Sequence, residues 1–232
     1  MVIDKKFKGL VKEDFRYVFN GSIETIGNLE IDLDVGLFVT GSIEAGESIK
    51  AGWSIEAGES IKAGWSIEAG ESIKAGWSIE AGRSIKAGEF IEAGWFIEAG
   101  GFIEAGWFIE AGGFIEAGGS IEAGGYIEAG GSIKAGGSIE AGEYIEAGGS
   151  YGIIAGLSIT CKGILSFGLK AFAGICSWME ISDEDKTITC GKLGSGTIEY
   201  GILRETGVEE SDDKTQEAMR LLKEQGYKII RQ

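Results

Sequence analysis

From Ile43 to Ile145 an isoleucine recurs at every sixth position without a miss, giving eighteen consecutive copies of the pattern [SFY]-Ile-[EK]-Ala-Gly-x. This beat excludes a helix, because a turn of about 3.6 residues scatters positions six apart around the axis. A short strand followed by a corner satisfies it. Within such a strand Ile and the Ala two places later point to one side, while Ser, Phe or Tyr before Ile and Glu or Lys after it point to the other. Glycine takes the corner, where a residue without a Cβ is needed. The 41 glycines and the absence of proline exclude collagen, with its three-residue period, and proline-rich linkers.

A strand this short is not stable alone, so the strands are expected to stack in parallel, coil on coil, as a β-solenoid. The number of hexads per coil follows from a slower alternation. In WSIEAGESIKAG (residues 53–64) Trp53 is replaced by Glu59 and Glu56 by Lys62. Two hexads per coil would stack Glu56 on Glu68. Three per coil make residues 18 apart neighbours: Glu44 meets Lys62 and then Glu80, Lys50 meets Glu68, and Glu56 meets Lys74 and then Glu92. Opposite charges on adjacent strands contribute about 0.2–1 kcal/mol a pair and like charges cost a similar amount. The 18-residue, three-sided coil is therefore expected. Duplication of a twelve-residue unit in the gene would produce the same alternation without selection on charge.

The flanks lose the period. Residues 1–19 read as an N-terminal cap, and 20–176 as the solenoid, with regular hexads over 41–148. Residues 177–232 read as a C-terminal α/β cap. There DDKTQEAMRLLKEQ predicts a helix over 213–225, N-capped by Asp212 or Asp213, with Ala218, Met219, Leu221 and Leu222 apolar and Gly226 as stop signal. YKIIRQ is a candidate closing strand.

The run GSIEAGESIKAG, continuing further on as GGSIEAGGYIEAGGSIKAGG, resembles the Gly-Asn/Ser-Ile-x-Ala-Gly-Gly stretches in the β-helical half of flagellar assembly protein A-like proteins, and more distantly the repeats of bactofilins. The resemblance covers roughly residues 20–176 and implies an architecture, a single-stranded parallel β-helix, rather than an activity. The hexads are also similar to the left-handed hexapeptide β-helix, with inward aliphatic and small positions exchanged. Acyltransferases of that type carry a catalytic histidine, and this chain contains none.

Without histidine the chain lacks the commonest general base and the commonest metal ligand. No phosphate-binding glycine motif precedes a helix. Cys161, Cys176 and Cys190 are odd in number and spaced for buried reduced thiols rather than a disulfide framework or a zinc site. Without a histidine partner a cysteine nucleophile is not expected either. Asp183, Glu184 and Asp185 read as a solvated turn. The expectation is a non-enzymatic protein with no cofactor and no metal. The N-terminus lacks an apolar signal-type core and no long apolar run occurs, so no membrane contact is expected and the cytosol is the expected location, the host's if the protein is viral.

Function is sought on the surface. In 18-residue coils one outward column holds Ser54, Ser72, Phe90, Phe108, Tyr126 and Tyr144; a second holds Ser60, Ser78, Phe96, Phe114 and Ser132; the third carries Phe102 among serines. An exposed aromatic row of this length suggests a contact site, unless a terminal segment folds back over it. Charge shifts in step. Residues 41–86 hold seven glutamates against five basic residues, whereas residues 87–148 hold eleven against Lys134 alone. That is a net two negative charges upstream and ten downstream. Six coils at about 4.8 Å span about 29 Å, so these charges fall one per about 2.4 Å, close to the one per about 1.7 Å of duplex DNA.

Two functions are compatible with such a rod. The first is a nucleic-acid-mimicking inhibitor of a basic, DNA- or RNA-handling protein, in the manner of some phage anti-restriction and anti-CRISPR proteins; pentapeptide-repeat solenoids offer an analogy for the mimicry. Glu92, Glu98, Glu104, Glu110, Glu116, Glu122 and Glu128 would stand for phosphates, and Phe90, Phe96, Phe108, Phe114, Tyr126 and Tyr144 would anchor the partner. Nucleic acid itself is not an expected ligand at a formal net charge of −16. The second is a structural scaffold that polymerises end to end, as bactofilin-like solenoids do. A homodimer is open under either.

Overall fold

The computed structural model describes residues 1–177 and 179–207. Each hexad forms a strand of three or four residues, and within the regular repeat each strand pairs in parallel with those 18 residues before and after it, the offset widening to 20 where the repeat meets its flanks. Ile61 lies beside Ile43 and Ile79, and Lys62 beside Glu44 and Glu80. One coil therefore holds three hexads, and the chain is a three-sided parallel β-solenoid.

Successive strands define three faces. The first face runs through Ile43–Ala45, Ile61–Ala63, Ser78–Ala81, Phe96–Ala99 and Ile115–Ala117. The second runs through Ile49–Ala51, Ser66–Ala69, Ser84–Ala87, Ile103–Ala105 and Ile121–Ala123. The third runs through Ile55–Ala57, Ile73–Ala75, Ile91–Ala93, Ile109–Ala111 and Ile127–Ala129. Ile and Ala of every hexad point inward and are buried in one continuous core. Burying an isoleucine stabilises by about 1.5–3 kcal/mol, whereas a cross-strand charge pair contributes about 0.2–1 kcal/mol. The core thus fixes the coil, and the outward residues are free to vary.

Glycine is needed at the corners, but not for left-handed backbone. No glycine from Gly27 to Gly168 has a positive φ. A Cβ on Gly64 would instead stand 2.1 Å from the carbonyl oxygen of Gly46, one coil earlier, while the Gly64 amide donates to the Ala45 carbonyl at 3.0 Å. Coil meets coil backbone to backbone, and a side chain on Gly64 would part them.

Residues 1–19 do more than cover an end. Val2–Ile3 pairs in parallel with Leu29–Ile31, and Arg16–Phe19 with Gly36–Val39, so both belong to the first coil. Leu10–Lys12 folds back antiparallel on Arg16–Phe19. Phe7, Leu10 and Phe19 pack against the core, with the rings of Phe7 and Phe19 edge to face at 5.8 Å.

Downstream, parallel pairing runs beyond residue 176 to Glu205. Thr187–Cys190 and Ile202–Glu205 extend the second face. The ten-residue strand Ile164–Ala173 spans two faces, pairing Leu165 with Ile145 and Ala171 with Ile153, so the corner between the third and first faces is lost there. No helix occurs among the described residues; the helix expected over 213–225 and the strand expected in YKIIRQ lie outside them. Cys161, Cys176 and Cys190 are unbridged and buried, and burial pushes the Cys161 thiol up to about 12. At the acidic turn Asp183 pairs with Lys186 at 2.7 Å, and Asp185 accepts from the Ser182 amide at 2.8 Å.

Candidate functional site

The outward charges of the first coils alternate as the 18-residue register requires. Lys50 faces Glu68 at 3.9 Å, Lys62 faces Glu80 at 3.2 Å and Lys74 faces Glu92 at 2.7 Å, each across adjacent strands. Lys86 and Glu104 follow at 2.6 Å, and their hydrogen bond raises the Lys86 ammonium above its ordinary value.

Below this level glutamate meets glutamate. On the third face Glu110 lies in register between Glu92 and Glu128, and Glu128 pairs with Glu146. On the second face Glu122 lies between Glu104 and Glu140. On the first, Glu98 lies between Glu80 and Glu116, and Glu116 is joined by Lys134 at 2.5 Å. The seven expected phosphate-like carboxylates therefore divide in two. Glu92, Glu104 and Glu116 are each held by a lysine; Glu98, Glu110, Glu122 and Glu128 have only glutamates as register neighbours.

The aromatic column lies beside the glutamates of the third face, with a geometry the sequence did not disclose. Phe90, Phe108, Tyr126 and Tyr144 stack ring on ring, with centroids 4.7, 4.9 and 4.9 Å apart and planes within 3° of parallel. Phe96 and Phe114 repeat this on the first face at 4.9 Å. Rings stacked along the rod cover one another's faces and turn their electropositive edges outward. Tyr126 is consequently only 6% exposed, and Phe90, Phe96, Phe108, Phe114 and Tyr144 are half-buried. The column expected as an exposed row is in large part a zipper. Each tyrosine hydroxyl reaches back to a carboxylate: Tyr126 donates to Glu110 and Tyr144 to Glu128, both at 3.2 Å. Burial, then the adjacent carboxylate, pushes both tyrosine hydroxyls well above their ordinary value.

The more exposed aromatic surface is elsewhere. Trp65, Trp77 and Trp95 stand at corners, the last two each 62% exposed, and Phe102 on the serine face is 45% exposed. Sequence reasoning that followed the strands passed over these tryptophans because the corner position is not part of a strand. A signal was present, in the exchange of Glu for Trp after the glycine. On the third face the corner residues meet the column: Ser54 donates to Glu71 at 2.8 Å and Ser72 to Glu89 at 3.4 Å, each the corner residue 17 positions on. The residue at that offset from Phe90 is Trp107, which lies edge to face on Phe108 at 5.2 Å.

No group of three or more His, Cys, Asp or Glu side chains with metal-holding geometry occurs among the described residues. A depression among the described residues, lined by Phe172, Ile175, Cys176, Ile181, Glu199 and Tyr200, is shallow. No protein-family model, no curated protein and no solved structure matches the chain.

Proposed function

We propose that this is a non-enzymatic binding protein whose acidic downstream flank engages a basic, nucleic-acid-handling surface on another protein. The observation that carries the reading is the unbroken register of Glu92, Glu110, Glu128 and Glu146. Like charges in adjacent strands cost stability, and on the first face the same chain places a lysine beside a glutamate, Lys62 beside Glu80 and Lys134 beside Glu116. A basic partner would offset the repulsion, as cations do along a nucleic-acid backbone. The regular coil keeps the carboxylates at fixed spacing, so little ordering is needed on binding.

The competing reading is a scaffold that grows end to end, and one feature favours it: among the described residues the strand Ile23–Thr25 at the start of the rod pairs only with Ile43–Ala45. Against it, Phe7, Leu10 and Phe19 pack over the core at that end. Light scattering at rising concentration separates the two, since a mass that stays fixed excludes the filament.

The test of the main reading is capture of a basic partner from the native host, followed by simultaneous reversal of Glu110, Glu116 and Glu128 to lysine. Binding that weakens with salt and is lost in the triple variant is expected. Affinity left intact by the reversal would sink the proposal.

A further inference from the structure

The corner between the third and first faces separates two columns of glutamate. Glu92 and Glu110 stand on one side, and Glu98 and Glu116 on the other. On the ridge Trp95 stands level with Glu92 and Glu98, and Trp77, one coil earlier, stands level with Lys74 and Glu80; the Trp95 amide donates to the Trp77 carbonyl at 2.7 Å, and both indoles are largely in water. Further along, the ridge continues as Gly113 and Gly131, so no side chain rises between the columns there. The rings on the adjoining faces are stacked on one another and present edges, which repel cations; Trp95 meets the Phe96 ring at 5.4 Å and 70°, and the rest of its indole stays open to a cation.

We propose that this ridge is the docking line for an arginine-bearing segment of a protein partner, with guanidinium groups laid on Trp77 and Trp95 and bonded to Glu98, the flanking carboxylate whose register neighbours are Glu80 and Glu116. The inference rests on the reading of the flank as a binding surface for a basic protein. Charge repels the same flank of a second copy, which carries a net ten negative charges over residues 87–148. Arginine is selected over lysine because a planar, weakly hydrated guanidinium stacks on indole while it forks to a carboxylate; an ammonium remains a hydrated point charge. Trp65 lies on the corner between the first and second faces, next to Arg83 in register, and is not part of the line.

The test uses the full chain with an oligoarginine and an oligolysine peptide of equal length, titrated at low salt by calorimetry and by indole fluorescence. The native protein is expected to bind oligoarginine about tenfold more tightly than oligolysine, with a saturable change in emission. In Trp77→Leu/Trp95→Leu the preference should fall to about parity while oligolysine binding is unchanged, and in Trp65→Leu the preference should persist. Retained oligolysine binding and an unaltered far-ultraviolet spectrum establish that the variant is folded. Equal affinities in the native protein, or a preference that survives the double substitution, would overturn the inference and leave the acidic flank standing. If neither peptide binds, the reading of the flank fails as well.

Discussion

The indole of Trp95 rests on the backbone of Gly113, one coil below: a Cβ built there would stand 2.8 Å from the indole Cδ1 and 2.6 Å from the Trp95 carbonyl oxygen. Glycine at 113 is thus the seat of the tryptophan. Gly113→Ala should shift the indole, cost about 1–3 kcal/mol as overpacking does, and change the tryptophan emission. Gly52→Ala, where nothing lies within 4 Å, is the control and should melt like the native protein.

The close approach of coils at Gly64 makes a stronger demand, because there the obstacle is the backbone of Gly46. Gly64→Ala cannot be relieved by a rotamer change. Thermal unfolding should show it to be more damaging than Gly113→Ala, where the backbone oxygen stands 2.6 Å rather than 2.1 Å from the added Cβ and the indole can give way.

The stacked column predicts a measurable coupling. A double-mutant cycle with Phe108→Ala and Tyr126→Ala should return about 0.5–1.5 kcal/mol of interaction between the two rings. Coupling near zero would mean that the rings add area without stacking.

Like charges in register predict that the surface is not optimised for stability. Glu122→Lys would stand between Glu104 and Glu140 and should add about 0.2–1 kcal/mol for each new opposite pair. Its melting temperature should exceed that of the native protein at low salt, and the gap should narrow as salt screens the repulsion. Under the binding proposal the same substitution weakens the partner.

The tyrosine hydroxyls set an alkaline limit. Their folded values lie above the ordinary 10.0, chiefly through burial and then through Glu110 and Glu128. The fold therefore holds the neutral form, and the stability this confers is complete below pH 10.0 and declines as the pH rises past it, where the unfolded chain releases protons first. Cys161 contributes with the same sign from a lower starting value of 9.0. Tyr126→Phe/Tyr144→Phe should melt with a shallower loss above about pH 10 than the native protein.

Coil length, inward and outward sides and the charge register were legible because all three follow from which residue lies 18 positions away, and Ile, Ala, Glu and Lys report that directly. Ring orientation was not: Phe90 and Phe108 could be placed in one column by counting, but whether faces or edges meet solvent depends on side-chain rotation. The strand Ile164–Ala173 was hidden because the hexad breaks in YGIIAGLSITCKG, and pattern reasoning has no purchase once the period is gone. The division of the glutamates into lysine-held and glutamate-faced sets was implicit in the register but needed Lys134 and Lys86 to be placed in space.

The core repeats every six residues, while surface neighbours lie 18 residues apart. A deletion of a single hexad would leave every isoleucine above another isoleucine, yet rotate everything downstream by one face. Such an event would be silent to the interior and would rewrite the exterior, moving the tyrosines under serines and the glutamates onto new columns. A chain built this way can explore new outer patterns through slips in copying length, without first having to survive a damaged fold.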